Sequence, residues 1–563
     1  MPSPRSAHPR RALVVGPGLA VILRAAGVAV TLLEHAPGVV HLPTLIERSK
    51  LEPEQFDFFA QEESLGGRLY LKDVHTLPCP TVFWSIDTHL NLYWQRYYGR
   101  LFDRVLTPHY SIIANLPNAW RLSAARLPTA GMNRPFVPHA ERAYPLSFVG
   151  RLTSHRPLRA ALVDLLREHH GLEARQDMSY SQMMDLYAQT RCIPNESIAF
   201  EVNFRLLEGA SCGACMLTPD VGQDQDTLLT PETEMRVYAD GHDLLEQLDL
   251  VLTRPTLAEK IGRAAWERVQ AEHLPAHRGA QFLEHLPDTR TRALGADADV
   301  AFWLTMLQLH RNRLLPPEWP FLTEASARLP ENEETLAGRL RFYAEHGLHE
   351  EVDALCARLL VSGGFAESFL VNMGAASAAL FRNRLDKAKQ FWYRQHKHSP
   401  RPPEKPETAA HACILWADAA RRAGFAAQTG FSYEPAAHCP ETALEFLFLA
   451  QHRDPADARW LDSADRLTAQ HKGLTFYRLG ILARLALNQP DDWRRQSLYG
   501  LACLQCCRVD AGLHELTLAH ALAVRQGRER DFFRLLDGIR PGGRLARAVR
   551  RLNVPEQPGD VKG

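Results

Sequence analysis

Two phrases of the 563-residue sequence bring together side chains able to hold a phosphate or a sugar hydroxyl. In SFVGRLTSHRP, residues 147–157, Arg151 and Arg156 lie in a loop between a strand-like run and a helix-like one. Each guanidinium offers paired donors and a helix N-terminus favours negative charge, so the pair suits a diphosphate; a solvated basic turn is the alternative. In NESIAFEVNFRLLEGASCGACMLTPD, residues 195–220, a helical stretch carries Asn203, Arg205 and Glu208 and runs into Gly213 and a strand. Arg205 and Glu208 can share one helix face, where a surface ion pair is the alternative to a ligand site. Asp87 and His89, in WSIDTHLN, follow a strand whose end lies where open α/β sheets bind ligands, and either could accept a proton from a hydroxyl. Loop capping gives the same Asp-x-His spacing without catalysis. Gly16 and Gly18, in VVGPGLAVIL, mark a strand-to-helix turn that lets backbone approach an anion. The third glycine of a dinucleotide fingerprint is missing, and a plain tight turn reads equally well.

No metal site is expected. Cys212 and Cys215 form one CxxC and Cys503 and Cys506 another, but zinc spacing normally brings such pairs much closer together. Small buried packing residues are the simpler reading.

These residues need elements to hold them. Up to about residue 145, short β-rich runs (ALVVG, GVAVTLL, GRLYL, TVFWSID, RVLTP) alternate with helical stretches. From 146 to 285 the alternation repeats, opening with LSFVG and including CMLTP. Strands interleaved with helices at this spacing predict parallel sheets covered on both faces. Near 257–272, Thr256 and Glu259 suggest a capping box, and Leu257, Ile261, Ala265 and Val269 define one buried helix face. From about 297 the β signal fades and helical periods dominate. The phrases beginning Gly347-Leu348 and Arg384-Leu385 repeat a turn followed by a helix, with the leucines 37 residues apart, near the period of tetratricopeptide-type helical pairs. The Pro-rich segment 398–407 reads as a loop. The polar stretch near 285–298 reads as a boundary between two separable parts.

Composition narrows the class. Apolar residues make up 45% and charged residues 23%, ordinary for a globular protein. Lys plus Arg and Asp plus Glu both number 65, so the chain as a whole is not a polyanion binder and no nucleic-acid partner is expected. Ten cysteines in this length do not make a disulfide scaffold, and a reducing cytoplasm fits. Arg5, Arg10 and Arg11 precede an apolar run as in a signal peptide, yet Gly16-Pro17-Gly18 breaks it and Arg24 interrupts its continuation. No stretch has the ~18–20 uninterrupted apolar residues that span a bilayer.

The phrases FVGRL and N-x-R-x-x-E-x-x-x-C-G-A, with a strand after them, resemble the donor lobe of GT-B-fold glycosyltransferases, above all the CgeB-like (spore-maturation-type) bacterial group. The phrase TVFWSIDTHLNLYWQRYYGRLFDRVLTPH resembles the acceptor lobe of that group. The resemblance covers about residues 10–285. It implies a two-lobed GT-B fold of tandem Rossmann-like domains, with an acceptor lobe at 10–145 and a nucleotide-sugar donor lobe at 146–285. An all-α, TPR-like solenoid over 298–550 would follow. It also implies that Glu208 binds ribose hydroxyls, that Arg151 and Arg156 face the donor diphosphate, and that Gly18 lies under the phosphates, with Asn203 and Arg205 in the same motif. Many retaining relatives carry a second Glu eight residues before Glu208; here that position is Phe200, so retention or inversion stays open. The expected activity is a metal-independent, hexosyl-type transfer to a glycan or protein hydroxyl without a cofactor, the helical repeats offering a protein partner a surface. An inactive scaffold and a sugar-nucleotide epimerase of the same fold are the alternatives.

Overall fold

The computed structural model describes residues 9–64, 68–115, 123–153, 156–290, 295–315, 319–539 and 543–552. Two all-parallel sheets carry the first half of the chain. The first contains β1 (Arg11–Val15), β2 (Ala29–Leu32), β4 (Phe58–Glu62), β6 (Thr81–Trp84), β7 (Arg104–Thr107) and β8 (Ala124–Arg126), in the order β2-β1-β4-β6-β7-β8. Between them, β3 (Gly38–His41) and β5 (Leu69–Lys72) pair in a small separate sheet, so GRLYL is a strand but not one of the main sheet. The second sheet contains β9 (Tyr144–Val149), β10 (Glu173–Arg175), β11 (Thr190–Pro194), β12 (Cys215–Pro219) and β13 (Arg236–Tyr238), in the order β10-β9-β11-β12-β13. In each sheet the second strand lies to one side of the first and the rest to the other. That is the doubly wound 2-1-3-4-5 order, whose ligand crevice opens at the carboxyl ends of the strands where the order reverses.

Burial on both faces explains why the central strands read as continuous apolar runs rather than alternating ones. β4 is the example: Phe58, Phe59 and Ala60 are fully buried, and without alternation this central strand carries no period-two signal. β11 is hidden in the same way, with Cys192, Ile193 and Pro194 all buried.

The helix Pro255–Glu272 buries Ala258, Ile261, Ala265 and Val269 as one face. Its expected capping box is absent, because Glu259 instead accepts the His139 amide at 2.9 Å and pairs with Arg263 at 3.2 Å. After residue 295 every described element is helical, apart from one short 3-10 turn. Both repeated phrases open helices, His349–Ser362 and Leu385–Gln395, and 398–407 is a loop.

The compact units cross the expected boundaries. One comprises Met1–Ala130 with His273–Ser463; the other comprises Gly131–Glu272 with Ala464–Gly563. A single helical domain over 298–550 is therefore not how the chain groups: each sheet has its own share of helices. In the first unit, Phe282 packs on Phe58 of β4, and Trp303, Leu304 and Leu307 join one core with Phe83 and Tyr98. A buried ion cluster adds to it. Glu441 takes Arg311, Arg341 at 2.9 Å, Arg96 at 3.2 Å and Gln308 at 2.9 Å. Burial would raise this carboxyl, but Arg341, Arg311 and Arg96 outweigh it and hold the pKa down to about 2.

In the second unit, Leu165 shares a core with Trp493, Leu501 and Leu504. Gly241, at the start of the helix after β13, has no room for a side chain: a Cβ would lie 2.9 Å from the Cys507 Cα. Ending the chain at residue 463, or in the 285–298 stretch, should therefore leave the second sheet insoluble, because it exposes this face. Leu504→Ala in the full chain should cost about 2–5 kcal/mol. Soluble yield of the truncations and denaturant unfolding of the variant check both.

Candidate functional site

At the carboxyl edge of the second sheet, β9 ends in Val149 and turns through Gly150, while β11 ends in Pro194 and continues into Asn195 and Glu196. The order reverses between these two strands. Glu196, 4% exposed, lies between Arg159 and Arg205. Its Oε2 accepts Arg205 Nη1 at 2.8 Å and its Oε1 accepts Arg159. Arg205 also donates to Asn195 Oδ1 at 2.9 Å and to the Val149 carbonyl at 3.0 Å, and stands 4.3 Å over the Phe148 ring. Arg159 reaches the Arg151 carbonyl at 3.3 Å. Burial disfavours both guanidinium charges; Glu196 outweighs it at Arg205, which is held above its ordinary value, but not at Arg159, which falls below. The pair of arginines thus fixes the β9 turn from beneath.

Asn203 and Arg205 come together here. Asn203 precedes the helix Phe204–Ser211 without capping it; its amide donates to the Glu196 carbonyl, and its buried Oδ1 has no partner. Glu208 lies one turn along the same helix and is not paired with Arg205 as a surface pair would be. Among the described residues its carboxylate accepts no hydrogen bond, and burial, only partly offset by Arg205, pushes its pKa up to about 7. Arg156 precedes the helix Pro157–His170 and has neither ion pair nor side-chain hydrogen bond among the described residues. Arg151 is turned outward, 3.6 Å from Asp177, with both side chains 78% exposed.

Phe200 adopts a left-handed φ of 60°. The carboxylate next to it, Glu201, is 4% exposed and accepts Ile198 N at 3.1 Å, Ala199 N at 2.8 Å and Ser197 Oγ at 2.8 Å, so it shapes its own loop. Lys472 stands 5.0 Å over the Phe200 ring and backs that loop within the second unit.

The matching edge of the first sheet is filled by protein. Gly16 has φ 118°, and a Cβ at Gly16 or Gly18 would lie 2.5 Å or less from Glu62. Glu62 accepts Leu19 N at 2.8 Å, at the start of the helix Pro17–Ala25. Burial raises this carboxyl, opposed by the Leu19 and Gly18 amides. The turn expected to lie under phosphate therefore already holds an anion. Next to it, Glu63 accepts Ile86 N at 2.8 Å, Asp87 N at 2.7 Å and Asn91 Nδ2 at 2.7 Å. Burial first, then the Asp87 charge, pushes Glu63 up to about 7. Asp87 precedes the helix Thr88–Tyr98 and makes no cap hydrogen bond to it. His89 is pushed down to about 4 by burial, and Thr429 donates to its backbone carbonyl. An imidazole that low is neutral at pH 7 and a weak base.

Glu62, Glu63, Arg159 and Glu196 carry no motif of their own in the sequence. A chain-order signal exists only in hindsight: each carboxylate directly ends or follows a buried strand next to the order reversal.

Cys212, Cys215, Cys503 and Cys506 are all buried thiols, and burial pushes Cys212 and Cys506 up to about 12. No group of three or more His, Cys, Asp or Glu among the described residues is placed to hold a metal ion. No described helix is long and apolar enough to cross a membrane.

Residues 134–284, which span the whole second sheet, match the family model described as glycosyl transferase-like. The second sheet therefore lies within a glycosyl transferase-like segment. No curated protein matches the chain. Among solved structures, HepE from Anabaena in complex with UDP and glucose is 11% identical over 49% of this chain and 98% of its own, with a TM-score of 0.35. A glycosyltransferase from Rickettsia africae ESF-5 is 11% identical over 49% and 97%, with a TM-score of 0.36. Sucrose-phosphate synthase from Thermosynechococcus elongatus is 13% identical over 49% and 98%, again with a TM-score of 0.36.

Removing the charge of Glu196 leaves two buried guanidiniums without their carboxylate, so Glu196→Gln should cost about 3–5 kcal/mol. Glu208→Gln should act oppositely, and only at high pH. With its pKa raised above the unfolded value, Glu208 favours the folded state in acid, and that advantage is lost as pH rises through about 7. The variant should therefore be more stable than the parent at pH 8 and similar at pH 4. Denaturant unfolding of both variants at these two pH values checks the pair.

Proposed function

We propose that the chain is a GT-B glycosyltransferase of the CgeB-like type, moving a sugar from a nucleoside-diphosphate donor to a hydroxyl-bearing acceptor. One observation carries the reading: within the glycosyl transferase-like segment, Glu208 is a part-buried carboxylate that accepts no hydrogen bond among the described residues, in a helix that starts at the crevice edge. Desolvating a carboxylate without a partner is costly, and two vicinal ribose hydroxyls would supply the missing donors.

The donor diphosphate is assigned to the Gly150 turn and the N-terminus of the helix Pro157–His170, where Arg156 has no competing carboxylate among the described residues. Fixed guanidiniums and a helix terminus can stabilise a departing diphosphate through electrostatics alone, which supports transfer without a metal ion. Arg159 and Arg205 act as positioning residues through the Val149 and Arg151 carbonyls. Arg151 and Gly18 lose their phosphate roles, one facing Asp177 and the other Glu62. Acceptor recognition is assigned to the first unit, where Asp87 and His89 lie beside Glu63, which at about 7 is a stronger base than His89 at about 4. The helices after residue 295 are read as a TPR-like extension that presents a glycan or protein acceptor. The cytoplasm is the proposed location.

Titration calorimetry with UDP, GDP and a panel of nucleoside-diphosphate sugars tests the reading. Glu208→Gln should weaken the best donor roughly ten- to a hundredfold, since charge-assisted bonds contribute about 1.5–3 kcal/mol. Donor affinity of the parent should rise as pH climbs through about 7, because only the ionised carboxylate accepts both hydroxyls, and should be flat in the variant. Equal affinity in parent and variant would leave a scaffold as the better reading. Interconversion of the donor sugar without transfer would make the chain an epimerase.

A further inference from the structure

A second concave site lies on the glycosyltransferase-like domain, at the opposite edge of its sheet from Glu196. It is a cavity of about 750 Å3 whose walls include His139, Arg191, Lys260 and Arg263. Arg191 is the second residue of β11, and His139 Nε2 bonds the Gly213 carbonyl at 2.9 Å, just before β12 begins, so this is the amino edge. Along β11, Arg191 and Glu196 are about 16 Å apart at the usual rise per residue. The cavity is therefore separate from the donor crevice.

Its charge is unbalanced. Arg191, Lys260 and Arg263 face one carboxylate, Glu259, and that carboxylate is already engaged by the His139 amide and by Arg263. Arg263 is further occupied with the Phe136 ring, 4.0 Å away. Arg191 and Lys260 have no ion pair and no side-chain hydrogen bond among the described residues. The eighteen-residue helix Pro255–Glu272 opens at the same cavity, adding the positive end of its dipole.

Two buried polar atoms of the lining residues have no partner: Arg191 Nε, a donor, and Nδ1 of His139, a side chain only 2% exposed. With Nε2–H donated to a carbonyl, the neutral imidazole leaves Nδ1 as an acceptor. Both atoms are closed to solvent, so neither faces the cavity, and it is the unpaired charges of Arg191 and Lys260 that call for a ligand there. A group with several anionic oxygens meets that need.

We propose that this amino-edge cavity binds phosphate, either as free hydrogen phosphate or as the phosphate of a small hydroxylated ester. Arg191 and Lys260 are its principal charge partners, and the positive end of the dipole of the helix Pro255–Glu272 adds to them. The site is independent of the donor reading, since it shares no side chain with it.

Titration of the full chain with inorganic phosphate and, separately, with glycerol 3-phosphate at low ionic strength tests the proposal. Saturable one-to-one binding is expected, weakening as salt is added. Arg191→Gln and Lys260→Gln should each reduce it about tenfold, the loss expected for one charge-assisted contact. Their unfolding curves and nucleotide titrations should match those of the parent, which separates failure here from failure of the donor site. Tighter binding of the ester would identify a phosphorylated metabolite, and equal binding would identify free phosphate. No saturation by either probe up to about 10 mM, or equal binding by parent and variants, would overturn the proposal; a dissociation constant above that range lies below about 3 kcal/mol of affinity.

Discussion

The Glu196 carboxylate, held between Arg159 and Arg205 beneath the Gly150 turn, is the interaction on which the second sheet's ligand edge depends. A doubly wound sheet leaves a crevice where its strand order reverses, and loops bordering a crevice have no neighbouring strand to fix them. Here the fixing is electrostatic. Two buried cations require an anion between them, and once it is present their remaining N–H groups reach the Val149 and Arg151 carbonyls. The backbone on both sides of the crevice is thereby tied to one carboxylate.

The two sheets share a strand order and differ in what occupies the equivalent edge. In the first, Glu62 caps the glycine turn from within, and Glu63 gathers the amides that lead into the helix Thr88–Tyr98. In the second, Arg156 and Glu208 have no ion pair or side-chain hydrogen bond among the described residues. A turn filled by the chain itself and an edge with unpaired groups, built on the same topology, are what distinguish the two sheets. The helix-terminus anion site is the same physical device in both; one copy is satisfied by the chain itself.

The helical residues belong to this account as structure. Trp493, Leu501 and Leu504 complete a core that Leu165 alone could not form, and Lys472 backs the strained loop at Phe200. In the first unit, the charges around Glu441 and the packing of Thr429 and Gly430 on His89 tie helical residues to the helix that follows β6.

Local pattern was enough to find β1, β6, β7, β9 and β12, the two tandem α/β halves, the helical second half, and the motif holding Asn203, Arg205 and Glu208. These features rest on neighbours in the chain: apolar runs, turn residues and helical spacing. β4 and β11 escaped because their apolar runs, Phe58–Ala60 and Cys192–Pro194, are only three residues long and carry no alternation either. With them went Glu62, Glu63 and Glu196, whose roles depend on which strands lie side by side. Outward Arg151 and capped Gly18 were likewise beyond reach, since each reflects a partner distant in sequence: 26 residues away at Asp177 and 44 at Glu62. The division of the helices between the two sheets has the same origin. Helical periodicity says which face of a helix is buried, and only the folded chain decides against what.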